Sequence, residues 1–481
     1  MTTISAAGIG SGLDVDDIVT KLMAVEQRPL TTLQTQATAL DSKISAFGTI
    51  TSQLASLSDA VTKLAAAATW DAKSVSSSNP TAASATVTGS AAASSFSLEV
   101  SQLARAQSVA SSAVAAGSGF GAGTLTIQTG SWAGASPALT AGSAAAVSVT
   151  VEEGDSLSTI AGKINSAGAG VTATILKDLS GERLLLRSSG TGEAAGFRVQ
   201  AADDSAATGR SLAALSFDDP AAGTGMAANP VQYGLNAKAT LNGVAISSAG
   251  NVLADTVPGL TLTLSQVTTA PVEISVATDT GSQTAAVNAF VKAYNAMNEM
   301  LNAATRYDST TKTGALLQGD ATTTGLQTAM RSLVGALSGG SGALQRLSDL
   351  GISIAKAGAG NLEVDATRLA TALKDPAAVG RFFNAAAPAD GSASAATGFA
   401  TRMSAFLQGA IGSGGMLAAK TASLTSQKTA NGKSQDRLSD RLTLVEASMR
   451  KQYTALDTRM SSLTALNTYI TQQIAQWNKD S

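Results

Sequence analysis

The 481-residue chain contains no cysteine and no histidine. That removes disulfides, zinc sites with nitrogen or sulfur ligands, Cys and His nucleophiles, and any Ser-His-Asp triad. Carboxylates, Lys, Tyr or an oxygen-ligated metal are the only catalytic chemistry left, so an enzyme is disfavoured. Aromatics make up 4% of the residues and charged side chains 14%; Ala, Ser, Thr and Gly fill the space, and slim, closely apposed elements are expected. A net charge of −2 offers no global field for nucleic acid or an anionic membrane. No run approaches the ~18 apolar residues of a membrane span, so no membrane insertion is expected. The first basic residue is Lys21 and no apolar stretch of a signal peptide follows it, so a cleaved signal is not expected either.

What is present is concentrated at the two ends. Between Ser434 and Trp477 apolar residues recur at Leu438, Leu442, Val445, Met449, Tyr453, Leu456, Met460, Leu463, Leu466, Ile470, Ile474 and Trp477, always in steps of three or four. The mean step of about 3.5 is the coiled-coil period. A helix with so narrow a seam has little core of its own and needs partner helices. At the other end Asp14 reads as an N-cap, with Asp16 and Asp17 in the first turn. Ile18, Leu22 and Val25 follow on one face. Pro29 predicts a break there and disfavours helix at Arg28. The pattern resumes at Leu33, Ala37, Leu40, Ile44, Phe47, Ile50, Leu54, Leu57, Val61 and Leu64, a second long helix ending near Trp70. These two ends are complementary, and the long helix Leu33–Leu64 is the expected partner of the C-terminal one. Everything between them is then an insertion.

From Thr81 to about Val276 the period is two, as at Phe96, Leu98 and Val100, or Leu260, Leu262 and Leu264: half-buried strands. Residues 113–123 and 203–230 are rich in Gly, Ala and Ser and read as loops or hinges between two β-rich lobes. Within the second lobe, strand Val147–Val151, a short helix capped by Asp155 or Ser156, and strands Val171–Ile175 and Arg183–Leu186 form a β-α-β-β unit. Helical period returns near Ser282, with a hairpin of Ile352/Ile354 and Leu362/Val364 across Gly358 and Gly360. The expected fold class is therefore α+β and multidomain, with a helical coiled-coil leg formed by both chain ends and two inserted β-rich head domains. The expected divisions are 1–32 (N-terminal segment and short helix), 33–72 (long leg helix), 73–112 with 233–280 (first head), 113–232 (second head), 281–411 (helical leg with hairpin) and 412–481 (C-terminal helices).

Motifs with chemistry are weak. Gly8-Ile9-Gly10-Ser11-Gly12 has no preceding strand, and Gly432-Lys433-Ser434 lacks the glycine of a phosphate loop, since Gln427 occupies its place. A helix irregularity is the reading for the second. The pairs Glu152/Glu153 and Asp203/Asp204 are adjacent in strands and point to opposite faces, unlike a glycosidase couple. Asp155 beside Glu153 lacks the spacing of a calcium loop. The tail's basic surplus is spread across helix faces without aromatics, which fits coiled-coil flanks and not nucleic acid. No cofactor and no metal are expected.

Four stretches together resemble the flagellar filament cap family, hook-associated protein 2 (FliD). They are Gly8 to Val15 with Ile18, Leu22, Glu26 and Pro29; Ser97-Leu98-Glu99-Val100-Ser101-Gln102-Leu103-Ala104; the β-α-β-β unit with Ile164-Asn165, similar to the IN motif of flagellins and hook proteins; and Phe290-Val291-Lys292-Ala293-Tyr294-Asn295 followed by Leu317-Gln318-Gly319-Asp320 and Leu350-Gly351-Ile352. The resemblance implies a non-enzymatic, secreted protein at the distal tip of the flagellum, exported by the flagellar type III route. It implies a ring-shaped homo-oligomer that promotes insertion of arriving flagellin, with the hook–filament junction protein and an export chaperone as further partners. Another flagellar axial protein, or an adhesin whose heads bind host mucin or glycans, is the alternative. The residues expected to dock partner helices are Leu13, Ile18, Leu22, Val25, Leu40, Ile44, Phe47, Leu54, Leu57, Leu442, Val445, Met449, Leu456, Met460, Leu463, Ile470, Ile474 and Trp477. Joints near Pro29 and the glycines at 412–415 are expected to let the leg move.

Overall fold

The computed structural model describes residues 14–88, 91–133, 138–338, 342–356, 359–386 and 397–478. Gly8–Gly12, Leu13 and the turn residue Gly358 lie outside them. In chain order the helices are α1 (Val15–Glu26), α2 (Arg28–Ala65), α3 (Ala67–Asp71), α4 (Leu157–Ala167), α5 (Thr280–Thr305), α6 (Ala321–Gly335), α7 (Ala366–Ala372), α8 (Pro376–Asn384), α9 (Phe399–Ile411) and α10 (Met416–Trp477). The chain forms two compact units, one from the described residues of 1–70 and 280–481, the other from 71–279.

The first unit is helical. From α2, Phe47, Ile50, Leu54, Leu57, Val61 and Leu64 recur at threes and fours and are fully buried against Val287, Phe290, Tyr294, Met297 and Leu301 of α5 and Met403 and Leu407 of α9. Each such side chain stabilises the fold by about 1.5–3 kcal/mol through its removal from water. Trp70 closes one end of this core. Its ring stacks on Phe383 at 5.0 Å, and its indole N–H donates to the Leu64 carbonyl at 2.8 Å. A Cβ at Gly380 would approach that indole to 3.1 Å, which is why α8 carries a glycine there.

The strands Ile352–Ile354 and Leu362–Val364 pair as expected. Gly351, at φ 79°, leads into them; a Cβ there would lie 2.8 Å from that of Arg368. Asn295 of α5 anchors the second strand, its amide exchanging hydrogen bonds with both backbone groups of Leu362 at 2.7 and 2.8 Å.

Two local expectations are corrected. Arg28 is helical, and the break falls one residue earlier at Gln27; Pro29 then sits in the first turn of α2, where no backbone donor is lost. Gly432 interrupts nothing. It lies inside the single 62-residue helix α10, and one interior glycine costs only about 1 kcal/mol. The glycines at 412–415 make a tight hydrogen-bonded reversal, Gly415 donating to Gly412 at 2.8 Å. A Cβ on Gly415 would meet the Ala410 carbonyl at 2.6 Å, which is why a glycine stands there.

The second unit carries two β cores. In one, a five-stranded antiparallel sheet ordered Lys73–Ser77, Val272–Thr278, Ser94–Gln102, Ala237–Leu241 and Val244–Ser248 shares a core with the three-stranded sheet Val252–Val257, Leu260–Leu264 and Ala83–Val87. In the other, strand Gly123–Ala133 pairs with Gly196–Asp203 on one side and with Ala138–Ala141 and Val147–Val151 on the other. A three-stranded sheet, Ser108–Ala110, Gly181–Ser188 and Val171–Asp178, completes this lobe with α4.

The spans 113–123 and 203–230 are not hinges. Val114, Phe120, Leu212, Leu215, Phe217 and Met226 are buried in the second core. They follow no period because short 3-10 turns carry Leu212, Leu215 and Met226, and isolated bridges carry Val114, Phe120 and Phe217. Gln107, fully buried, bonds both backbone groups of Phe197 at 2.8 and 3.0 Å and accepts the Trp132 indole at 2.9 Å.

Candidate functional site

The candidate site is the leg formed by α1, α2 and α10, three helices with long apolar seams and few side chains to fill between them. Cross-contacts fix how they pair. Lys420 Nζ stands 5.7 Å from the Phe47 ring centroid; Lys428 bonds Asp41 at 2.5 Å, Asn431 bonds Gln36 at 3.4 Å, and Gln435 reaches the Leu33 carbonyl at 3.5 Å. Arg450 closes the series on Asp16 at 2.5 Å. From first to last, α10 advances 30 residues (420 to 450) while the opposing chain retreats 31 (47 to 16). One antiparallel register thus runs through the break at Gln27.

This register corrects the expected pairing. The seam beginning at Leu438 does not face Leu33–Leu64. Residues of α10 from Leu417 to Gln435 occupy α2, and the seam from Leu438 to Tyr453 packs instead on α1. There Val15, Val19 and Met23 surround Leu442, with Leu30, Leu438, Val445, Met449 and Tyr453 partly buried beside them. The reason is length: α10 reaches back past the whole of α2's N-terminal half at about 1.5 Å per residue.

Burial then falls along α10. Leu442 is 7% exposed, whereas Leu456 is 44%, Leu463 60% and Ile474 52%. Met460, Leu466 and Ile470 are also exposed, so the seam continues as an apolar stripe after its intramolecular cover ends. The remaining expected docking residues divide accordingly. Phe47, Leu54 and Leu57 belong to the unit's own core, and Leu40 and Ile44 lie at its margin. Ile18 is half-buried; Leu22, at the edge of the face of Val15, Val19 and Met23, and Val25 are exposed. Leu13 is outside the described residues, as is the side chain of Trp477.

Two features of the leg escaped the sequence reading. The face α1 buries is Val15, Val19 and Met23, a spacing of four that was present in the sequence but passed over for Ile18, Leu22 and Val25. The other is the pairing of Asp320 with Lys420 of α10 at 2.7 Å; as the sequence predicts, Asp320 also caps α6, accepting from the Thr323 amide at 3.0 Å. Burial pushes its pKa up, but the Lys420 ammonium and the Thr323 amide outweigh that and hold the carboxyl below its ordinary value. No local signal joins residues 320 and 420.

The acidic residues of the second unit are structural. Glu152 lies 3.5 Å from Lys163, while Glu153 turns the other way and accepts from the Ala122 amide at 3.0 Å and the Thr208 hydroxyl at 2.8 Å. Those hydrogen bonds hold Glu153 below the usual carboxylate range. Asp155 pairs with Lys163 at 2.6 Å. Asp203 accepts from Ser211 and from the Leu212 amide, which fixes the turn after its strand. Among the described residues, no group of three or more Asp or Glu side chains is placed to hold a metal ion, and no helix is long and apolar enough to cross a membrane.

Comparison with known proteins matches this geometry. Family models described as the flagellar hook-associated protein 2 N-terminus and C-terminus match residues 11–107 and 234–465, and one described as the flagellin hook IN motif matches 138–190. The chain is 32% identical to flagellar hook-associated protein 2 of Escherichia coli K12 over 98% of both chains. It is 31% identical to the B-type flagellar hook-associated protein 2 of Pseudomonas aeruginosa over 97% of both. The crystal structure of the D1-D2-D3 domains of the flagellar cap protein FliD from Escherichia coli superposes with a TM-score of 0.60 at 29% identity, covering 79% of this chain and 99% of that one.

Proposed function

This chain belongs to the flagellar hook-associated protein 2 (FliD) family, a secreted, non-catalytic cap protein of the flagellar filament tip, and we propose that it caps through the uncovered part of its leg. The observation that carries this reading is the seam from Leu456 to Ile474, exposed although it continues a face that is buried up to Leu442. In this reading the stripe docks on helices of the filament end, joined on α1 by Leu22 and Val25.

The leg is suited to exchange partners. Its upper contacts are a ladder of exposed polar and ionic pairs, individually weak, rather than a continuous core. The break at Gln27 divides α1 from α2 and places the one interruption of the N-terminal strand inside this weakly held region. Subunits join as a homo-oligomeric ring. Flagellin is the arriving substrate, the hook–filament junction protein the first platform, and an export chaperone the carrier before secretion through the flagellar type III route. Adhesion of the heads to host glycans is compatible with this role, because it leaves the leg helices free.

The test is deletion of the gene, scored for flagellin released unpolymerised into the medium and restored to filaments by the wild-type chain. Normal filaments in the deletion strain overturn the reading.

A further inference from the structure

In the second lobe of the β-rich unit, strand Gly181–Ser188 is the middle of three, and its residues alternate cleanly. Leu184, Leu186 and Ser188 face the core, while Arg183, Leu185 and Arg187 face outward. The two arginines of the outer face differ. Arg183 is tied down, bonded to Asp178 at 3.2 Å and to the Ser111 carbonyl at 3.3 Å. Arg187 is exposed and has no carboxylate partner among the described residues.

Arg187 lines a cavity of about 460 Å³, within the ~300–1,000 Å³ of small-ligand sites. Cross-strand register places Thr172 directly opposite Arg187 and Thr174 opposite Leu185, so both threonines share the arginine's face. Ser189 also lines it, and Ala106 and Leu185 contribute apolar surface. The hydroxyls of Thr172, Thr174 and Ser189 make no hydrogen bond within the protein among the described residues. The cavity thus offers one unpaired guanidinium, three uncommitted hydroxyls and a small apolar patch.

We propose that this cavity is a binding site for an acidic sugar residue, with its carboxylate on Arg187. Guanidinium presents a planar fork of donors that matches a carboxylate bidentately. Hydroxyls both donate and accept, which suits the ring hydroxyls of a saccharide and has no use for an acidic amino-acid side chain alone. The apolar surface of Leu185 and Ala106 takes the C–H face of the ring. Arg187 is the only charged group lining the cavity, so charge complementarity selects an anion. The site lies outside the helical leg and does not depend on the capping role.

The test uses the full-length chain and titration calorimetry with glucuronate, N-acetylneuraminate, glucose and succinate. Saturable binding of at least one acidic sugar is expected, with glucose and succinate each at least about tenfold weaker. Arg187→Gln is expected to weaken the acidic sugar at least about tenfold with no change in melting temperature, since the side chain is solvent-exposed. Thr174→Val is expected to weaken it by a smaller factor. No saturable binding of either acidic sugar overturns the proposal, as does unchanged binding by Arg187→Gln. Succinate binding as tightly as the sugars also overturns it, because the site is then one for a bare carboxylate.

Discussion

Asp16 and Arg450, 434 residues apart in sequence, meet at 2.5 Å across the contact of α1 with α10. Arg450 also holds Glu446 at 3.0 Å on its own helix, so the guanidinium joins two carboxylates across the α1–α10 contact. Both partners are largely solvated, and pairs of this kind set register more than stability. Past Tyr453 the apolar stripe of α10, from Leu456 to Ile474, joins no buried cluster among the described residues.

The single register is directly testable, because the chain has no native thiol to interfere. The double variant Asp16→Cys/Arg450→Cys is expected to cross-link within one chain with a short bifunctional thiol reagent. A control with cysteines at Asp16 and Ser434, sixteen residues out of register on α10, is expected to stay uncrosslinked. Equal cross-linking of both variants on a denaturing gel would mean that α1 slides freely along α10.

The parts of this fold that were legible in the sequence are those with strict local period. The threes and fours of α2 and α10 fixed two long helices, and the alternation at Phe96–Val100 or Leu260–Leu264 fixed strands, because one buried face imposes the period. The pairing of those helices was not legible. Register depends on which residues meet across hundreds of positions, as Lys428 meets Asp41, and a periodic seam fits several registers nearly equally well. The buried turns at 203–230 failed for the opposite reason: Leu212 and Met226 enter a core from 3-10 turns and Phe217 from a lone bridge to Val199, which leave no period to read.

Asn165 of α4 exchanges two hydrogen bonds of 2.8 Å with the N–H and C=O of Ala173, acting as a one-residue strand against the edge of its sheet. Asn165→Ala removes both partners from a buried strand residue, and a loss of about 1–3 kcal/mol is expected. Asn165→Asp keeps the acceptor but sets a carboxylate oxygen against the Ala173 carbonyl. It is expected to cost at least as much at neutral pH and to recover in acid, where protonation restores a donor. Urea unfolding of the two variants at neutral and acidic pH checks both expectations; equal pH dependence would refute the proposed geometry.

The Asp320–Lys420 pair predicts acid sensitivity in the leg. The folded carboxyl is held below the ordinary value of 3.8, so folding favours its ionised form. Its contribution is complete above that value and is lost as pH falls through the lower folded one. Asn is an equally good helix cap, so Asp320→Asn keeps the bond to Thr323 and removes only the charge. At pH 7 this variant is expected to be less stable by roughly 1–3 kcal/mol, the range for hydrogen bonds to charged groups. The difference from the wild type should shrink as pH falls below 3.8. Amide exchange in α6 reports it; a difference that persists in strong acid would place the effect elsewhere.

Contrasting two leucines of α10 separates what the leg needs to fold from what it needs to dock. Leu442 sits among Val15, Val19 and Met23, so Leu442→Ala leaves a cavity there and is expected to cost about 2–3 kcal/mol. The cost should appear as faster amide exchange across α1, with the Phe47–Leu64 core unaffected because it shares no side chain with that cluster. Leu463 is 60% exposed and Ile470 46%, so Leu463→Ser with Ile470→Ser removes little that the isolated subunit has buried. Its melting curve should overlay that of the wild type. In cells the same variant should be secreted yet leave flagellin unpolymerised in the medium, because the stripe does its work only against another chain. A seam variant that melts normally and also caps normally would assign docking to some other surface of the subunit.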